Sequence, residues 1–195
     1  GNFGWIIIGD ERNAATAKRF DTKENSDSTF HPKLTVTYTM NNPALNLTSF
    51  IEGFWDGTSM VNDTARVYLA SSISPYPVVD SAIAVLNSNG NAVFCFSNAP
   101  AGTYYIVVNH RNSIETWSKL PQTFTAGVMK IYDFSDSDTK AYGDNEVFKS
   151  GKYCIYGGDV NKDGIVDASD VSDVENDASN SLSGYVQTDV TGDDF

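Results

Sequence analysis

The sequence predicts a mainly β protein, in which an antiparallel β-sandwich follows a short set of strands and precedes a small loop–helix module. Three observations predict this organisation. Apolar and polar residues alternate along many short segments, helical periodicity is almost absent, and Asp becomes frequent from about residue 157. A chain of 195 residues, 41% of them hydrophobic, is long enough for two or three packed modules. We therefore divide it into residues 1–42, 43–156 and 157–195.

The first module contains three predicted strands, at residues 4–8, 15–20 and 34–39. Each is rich in β-branched and aromatic residues, which favour strands because they pack well on a pleated surface. A polar loop at 21–29 separates the second strand from the third. This stretch is therefore predicted to be β structure that is too short to form a complete domain.

The second module is predicted to be the sandwich. Short alternating segments separated by turn signals are typical of such folds. Tyr104–Val108 alternates imperfectly, which indicates a central strand buried on both faces. The module contains seven predicted strands, at residues 46–55, 65–70, 82–86, 92–96, 102–109, 122–125 and 129–133.

The third module is strongly acidic and contains the one predicted helix, at residues 168–177. Residues 157–195 carry ten acidic side chains against the single cation Lys162. Ser169 and Asp170 near the helix start can cap its free N–H groups. Such a segment is either solvated or held together by bound cations, and the spacing of its oxygen ligands distinguishes the two.

That spacing is the one of an EF-hand-type loop. Ca2+ takes six to eight oxygen ligands, and an EF-hand loop supplies them from positions 1, 3, 5, 7, 9 and 12. Gly164 falls at position 6, where the chain turns sharply, and Val166 is the apolar residue at position 8. We predict one Ca2+ bound by Asp159, Asn161, Asp163, the carbonyl of Ile165, Asp167 and Asp170.

A second, incomplete copy of the pattern lies thirty residues later. Asp189, Thr191 and Asp193 take positions 1, 3 and 5, and Asp194 replaces the glycine at position 6. The sequence ends at position 7 with Phe195, so these residues form at most half of a second metal site.

A duplicated loop of this kind, followed by its helix, resembles a dockerin module over residues 157–195. The first repeat carries the resemblance in Asp159-Val-Asn-Lys-Asp-Gly164, and the second repeat is incomplete. Dockerins hold two Ca2+ ions and dock cohesin domains through loop positions 10 and 11. The resemblance therefore implies a docking role for Ala168 and Ser169, with a cohesin as the partner.

The other two modules resemble parts of secreted bacterial proteins. Residues 1–40, through the ending Pro-Lys-Leu-Thr-Val-Thr-Tyr at 32–38, resemble the last part of a DNRLRE-type domain, which is a β jelly roll. Residues 99–108 resemble strands of transthyretin-like or Ig-like sandwiches of bacterial surface proteins. The layout as a whole resembles the C-terminal regions of large secreted proteins of Bacteroidetes. It implies an extracellular location, either secreted or at the cell surface.

The partial jelly roll leaves two alternatives. Three strands cannot close it, so unpaired edges would remain. Either the rest of the domain is missing, or neighbouring copies or modules supply strands by β-augmentation, as in a surface fibre.

No catalytic constellation stands out, so we predict that the chain is not an enzyme. Glu52 and Asp56 lie near a turn and are interpreted as surface charges rather than as a glycosidase pair. His31 and His110 lack nearby partners for a triad. The tryptophans could stack on sugar rings, but in a sandwich they are more often core; they are Trp5, Trp55 and Trp117.

Charge and composition exclude two classes of partner. A net charge of −12 argues against nucleic acids and anionic membrane surfaces, because both attract basic proteins. No apolar run reaches the roughly 18 residues that a transmembrane helix needs. Nucleic acids and anionic membrane surfaces are therefore not expected to be partners of this chain, and no transmembrane segment is expected.

The sequence bears on two kinds of covalent modification. Cys95 and Cys154 either form a disulfide or remain free thiols, and a free, buried Cys95 is favoured because it lies in an apolar strand. Asp-Ser and Asp-Thr triplets predict O-glycosylation at Ser28, Thr64 and Ser81. N-x-T sequons begin at Asn46 and Asn62.

The sequence thus predicts a non-catalytic, extracellular segment for structure, adhesion or assembly that Ca2+ stabilises. The alternative is an accessory region of a secreted polysaccharide-degrading enzyme that binds carbohydrate or docks a cohesin.

Overall fold

The computed structural model describes residues 26–27 and 42–194. The chain divides into two compact units, residues 1–38 and residues 39–195. The three strands and the partial jelly roll predicted between residues 1 and 42 lie outside the described residues, as do Trp5, Ser28 and His31.

The second unit is mainly β, as predicted. One helix, α1, spans Ala168–Ser179. Residues 42–194 contain ten strands: β1 (Ala44–Thr48), β2 (Asp63–Ser71), β3 (Val78–Leu86), β4 (Asn91–Cys95), β5 (Gly102–His110), β6 (Thr116–Trp117), β7 (Gln122–Phe124), β8 (Met129–Asp133), β9 (Val147–Lys149) and β10 (Lys152–Cys154).

The strands form two main sheets and a hairpin. One sheet has the order β4-β1-β8, and the other has the order β3-β2-β5-β6 with β7 also paired to β5; β9 and β10 form the hairpin. The pairs are antiparallel except β1 with β8, which is parallel. A parallel neighbour needs a long connection, and here the whole second sheet lies between the two strands in the chain.

The two main sheets share one hydrophobic core, which is consistent with a β-sandwich. Leu45 and Leu47 of β1 and Phe94 of β4 lie in the same buried cluster as Val67 of β2 and Ile106 of β5. In β5, Ile106, Val107 and Val108 are buried one after another. This confirms the prediction of a central strand covered on both faces.

The predicted strand 46–55 is wrong in its second half. Strand β1 ends at Thr48, and the chain then turns, with the amides of Phe54 and Trp55 both donating to the carbonyl of Ile51 at 3.1 and 3.0 Å. The apolar residues that suggested a continuous strand are buried instead as part of this turn, which packs into the core.

Two predictions about burial are also wrong. Both cysteines are free, as favoured, but Cys95 is exposed and Cys154 is the buried thiol. Burial raises the pKa of Cys154 to about 12. Trp55 belongs to the core, whereas Trp117 on β6 is only half-buried. Strand β6 has two residues, and no other described strand pairs with its outer side.

Helix α1 is short and mostly exposed; among its residues only Asp170 is buried. Within the described part of the chain, no helix is both long enough and apolar enough to cross a membrane.

Candidate functional site: the acidic loop and its contacts with the sandwich

The predicted Ca2+ loop begins where the sandwich ends. The amide of Ile114 donates to the carbonyl of Tyr156 at 2.9 Å, and the amide of Gly158 donates to the carbonyl of Asn112 at 2.7 Å. This short ladder follows β5 and brings the chain directly into Asp159. The Asp159 side chain is consequently buried, with 1% of the residue exposed.

Asp170 ties the two ends of the loop together. One of its carboxylate oxygens accepts hydrogen bonds from the amides of Val160 and Asn161 at 2.9 and 3.2 Å, and the other accepts from the amide of Asp167 at 2.9 Å. Asp167 in turn caps α1 by accepting from the amide of Ser169 at 2.7 Å. Positions 1–3, 9 and 12 of the predicted loop are therefore neighbours in space.

The middle of the loop is a series of tight, exposed turns. The amide of Asp163 donates to the side-chain oxygen of Asn161 at 2.8 Å, and the amide of Ile165 donates to Asp163 at 2.9 Å. Gly164 has a φ of +88°, a conformation that glycine adopts without strain. Val166 lies against Gly158 and is about half exposed.

One carboxylate oxygen in the loop has no partner among the described residues. Oδ1 of Asp159 is buried and accepts no hydrogen bond from them, while Oδ2 lies 3.9 Å from the ammonium of Lys162. A buried carboxylate oxygen without a donor or cation is unfavourable by a few kcal/mol. The donor chemistry, which is carboxylate, amide and carbonyl oxygen, is the kind that a hard cation such as Ca2+ prefers.

A coordination sphere is nevertheless not assembled. In the described residues, no three His, Cys, Asp or Glu side chains stand close enough together to hold a metal ion. The carboxylates of Asp163, Asp167 and Asp170 bond to backbone amides of the loop instead. The loop therefore has suitable ligands in the expected order, and binding would require them to converge.

Lys162 fixes the loop to the sandwich. Its ammonium donates to the carbonyl of His110 at 2.9 Å and also to the carbonyl of Ser113. Burial lowers the pKa of Lys162 below its ordinary value, against the attraction of Asp159 and Glu115. The single cation of the acidic module is thus used as an anchor.

The predicted second half-site has a different arrangement. Asp189 is buried and its carboxylate is paired with the guanidinium of Arg111, Nη2 to Oδ2, at 2.9 Å. The amide of Gly192 donates to the other carboxylate oxygen at 2.7 Å. Thr191 and Asp193 are exposed. The charge of Asp189 is therefore balanced by a side chain of the sandwich.

Arg111 connects two buried carboxylates, and we call Asp63, Arg111 and Asp189 the Arg111 bridge. Nε of Arg111 lies 2.8 Å from Asp63 Oδ2, which also lies 3.1 Å from Nε2 of the buried His110. Burial acts to raise the pKa of both carboxyls. At Asp63, the pairing with His110 and Arg111 outweighs burial, and at Asp189 the pairing with Arg111 does so. The pKa values of both carboxyls are therefore lowered.

Close packing accompanies the bridge. The Arg111 guanidinium lies over the rings of Phe54 and Tyr185, 5.2 and 4.5 Å from their centroids, which adds cation–π attraction. A side chain at Gly53 would overlap the carbonyl oxygen of Val190, so the two segments approach at backbone distance. The C-terminal module is thus packed against the sandwich over residues 184–192.

The remaining predicted residues lie on the surface. Ala168 and Ser169 open α1 and are exposed, but the Ser169 hydroxyl is bonded to Asp167 and Asn161. Thr64 and Ser81 are half-buried in the paired strands β2 and β3. In the turn after β1, Glu52 is half-buried, while Asp56 is exposed and accepts from the amides of Thr58 and Ser59 at 2.7 and 2.8 Å.

Sequence reasoning missed the Arg111 bridge. The Arg111–Asp63 and Arg111–Asp189 pairs are 48 and 78 residues apart in the chain, and no local spacing relates them. The only available signal was an Arg directly after a strand in an otherwise acidic protein.

The sequence matches no protein-family model and no curated protein.

Proposed function

We propose that the chain is a non-catalytic extracellular segment that serves structure, adhesion or assembly, and that Ca2+ binding to the acidic loop stabilises its C-terminal module. The observation that carries the proposal is the buried Asp159. At the point where the sandwich leads into the loop, its Oδ1 has no hydrogen-bond partner in the part of the chain that the structure describes.

Electrostatics supports a cation at this position. Four carboxylates fall within twelve residues, and the one nearby ammonium is held by backbone carbonyls of the sandwich. Carboxylates that lie close together repel one another unless a cation lies between them. The ion would be held by Asp159, Asn161, Asp163, the carbonyl of Ile165, Asp167 and Asp170, and it would cross-link the start, middle and end of the loop.

The first prediction concerns Asp159→Asn, which removes one charge and keeps the shape. We expect the wild-type protein, freed of metal by a chelator, to bind one Ca2+ with a Kd at or below about 10⁻³ M, the weak end for extracellular modules. The variant should bind at least tenfold more weakly. Isothermal titration calorimetry measures the affinity, and hydrogen exchange should show that Ca2+ protects residues 159–179 while β1–β5 are protected with or without it.

The matched control is Asp173→Asn, an exposed acid of α1 outside the loop that makes the same change in net charge. It should bind Ca2+ as the wild type does. The proposal is wrong if the wild type does not bind Ca2+ in this range, or if the two variants lose affinity equally.

An assembly role has its own support at β3. This nine-residue strand is the edge of its sheet and pairs only with β2 in the described part of the chain. Its exposed side chains are largely apolar, with Val78, Ile83 and Val85 each more than half exposed. A long apolar edge strand is a template for pairing with another strand, and native edges usually carry charges that prevent it. We propose that β3 pairs with a neighbouring copy.

The second prediction concerns Ile83→Lys, which places a charge on this edge. The wild type is expected to associate with rising concentration in sedimentation-velocity experiments in Ca2+, and the variant to remain monomeric. Leu120→Lys, which adds a charge at an exposed apolar residue between β6 and β7, should associate like the wild type. A strictly monomeric wild type, or association that survives Ile83→Lys, would remove the support for this role.

A further inference from the structure

Four aromatic side chains line a half-open depression on the second sheet. Tyr105 lies on β5, Trp117 on β6, Tyr76 in the loop between β2 and β3, and Tyr142 in a short turn after β8. The depression has a volume of about 260 Å³. Pockets for drug-sized ligands begin at about 300 Å³, so this one suits a single ring or a short stretch of a chain.

Three of the rings contact one another, two pairs edge to face and the third pair tilted. The centroid of Tyr105 lies 5.7 Å from that of Trp117 and 5.8 Å from that of Tyr76, and Tyr76 and Trp117 are 6.5 Å apart, with interplanar angles of 57–90°. Such contacts hold rings in place without covering their outer faces. A binding surface whose side chains are already ordered loses little entropy when a ligand arrives.

The backbone at Tyr76 is strained in a way that serves this cluster. Its φ is +59°, a left-handed conformation that is rare for a bulky residue. Strain of this kind persists where the surrounding structure requires a particular placement, often at ligand sites. Here it accompanies the packing of the Tyr76 ring on Tyr105 and Trp117, while 44% of the residue remains exposed.

Polar groups lie at the rim. The indole N–H of Trp117 donates to the exposed carboxylate of Glu115 at 2.8 Å. The phenol oxygens of Tyr76, Tyr105 and Tyr142 form no hydrogen bond with any other described residue, and Tyr142 is 66% exposed. The depression therefore combines apolar ring faces with unused hydroxyl groups and one carboxylate.

This combination distinguishes between ligand classes. An anionic ligand is disfavoured, because the lining contains no cation and the chain carries a net charge of −12. A quaternary ammonium needs rings that face a common centre, whereas three of these rings contact each other directly. A pyranose ring fits, since it has an apolar C–H face for aromatic stacking and an edge of hydroxyl groups for the phenols and Glu115.

We propose that this depression binds a hexopyranose unit of an uncharged polysaccharide, stacked on Trp117 with Tyr142 at its edge. The site lies outside the acidic loop and does not depend on Ca2+ bound there.

Affinity electrophoresis in gels containing soluble galactomannan, xyloglucan, β-1,3-glucan or starch tests the proposal. We expect at least one polysaccharide to retard the wild type. Trp117→Ala should weaken the affinity by about two- to tenfold, since one aromatic contact contributes about 0.5–1.5 kcal/mol and 1.4 kcal/mol corresponds to a tenfold change. Tyr142→Ala should also weaken it. Because Tyr142 is exposed and its ring contacts no other described aromatic ring, this second variant is not expected to affect folding.

Phe148→Ala is the matched control, because it removes an exposed aromatic ring from β9, outside the depression, and should leave the retardation unchanged. The proposal is overturned if no polysaccharide retards the wild type or if retardation survives both Trp117→Ala and Tyr142→Ala. It is also overturned if tetramethylammonium, and no polysaccharide, changes the fluorescence of Trp117.

Discussion

Replacing Arg111 by methionine is expected to lower the free energy of unfolding by about 3–5 kcal/mol, the cost of breaking a buried ion pair by removing one partner. The loss should be large because Arg111 balances two carboxylates at once, and Asp63 and Asp189 are both buried. Methionine fills much of the same volume, so the effect reports mainly on charge. Urea denaturation at neutral pH measures it, and hydrogen exchange should show residues 184–194 losing protection.

Two further variants separate pairing from other effects. Arg66→Met, on β2, makes the same chemical change at a half-buried arginine. Its one side-chain hydrogen bond to a described residue is a long one of 3.4 Å to Ser81, so the change should cost less than about 1 kcal/mol. The double variant Arg111→Met with Asp189→Asn should be more stable than Arg111→Met alone, because one unbalanced carboxylate is removed. Equal stabilities for these two variants would contradict the bridge.

The pH dependence of this effect follows from the carboxyl pKa values. Both are lowered in the folded protein, so the stability that the pairs contribute is present above the ordinary value of 3.8 and is lost as the pH falls through the folded values. In the variant, the same carboxyls become neutral in acid and no longer need a partner. The difference in stability between wild type and Arg111→Met should therefore narrow as the pH falls below about 4.

Local patterns predicted the parts of the fold that depend on neighbouring residues. Strand β8 coincides with the predicted range 129–133, and α1 begins at the predicted Ala168. Both could be predicted because strand alternation and helix capping depend on residues only a few positions apart. The acidic loop is a sequence pattern for the same reason, since all six proposed ligands lie within twelve residues.

Features that depend on distant pairing escaped prediction. Strands β6, β9 and β10 have two or three residues each, too few to show alternation, and they exist because longer strands or each other pair with them. Trp117 was expected in the core because nothing in the sequence shows that β6 ends its sheet. The aromatic depression likewise joins residues from four separate segments.

Buried charge illustrates the same limit. Asp63 and Asp80 lie just before two of the predicted strands, and both are buried. Asp63 pairs with Arg111, and Asp80 accepts from the amides of Asn98 and Ala99 at 2.7 and 2.9 Å. A carboxylate can be buried when donors from elsewhere in the chain meet it, and those donors are visible only in the fold.

Glu146 is a buried acid that lacks such donors among the described residues, and replacing it with glutamine is expected to stabilise the protein at alkaline pH. Only 7% of Glu146 is exposed, and neither carboxylate oxygen accepts a hydrogen bond from a described residue. Burial raises its pKa to about 8, and the charges of Asp133, Asp136 and Asp138 act in the same direction. The folded state therefore favours the neutral acid at pH 7.

The sign of the effect follows from this direction. A raised folded pKa means that the contribution of Glu146 to stability is fully present below its ordinary value of 4.5 and is lost as the pH rises through about 8. The two pKa values differ by about 3.5, and a difference of one in pKa corresponds to 1.36 kcal/mol. The loss of stability is therefore limited to about 5 kcal/mol. Glu146→Gln stays neutral throughout, so this loss should be absent from the variant.

Urea denaturation of wild type and Glu146→Gln at pH 5 and pH 9 measures this difference directly. The two proteins should be nearly equally stable at pH 5, and the variant should be the more stable at pH 9. Glu175→Gln, an exposed acid on α1, is the control and should change the pH dependence little. If the stability difference between wild type and Glu146→Gln is the same at both pH values, Glu146 is ionised in the folded protein and a cation or water must reach it. Because the Arg111 bridge weakens below about pH 4, and the contribution of Glu146 is lost as the pH rises from its ordinary value of 4.5 to about 8, the wild type should be most stable between about pH 4 and pH 5. Glu146→Gln should keep its stability at higher pH.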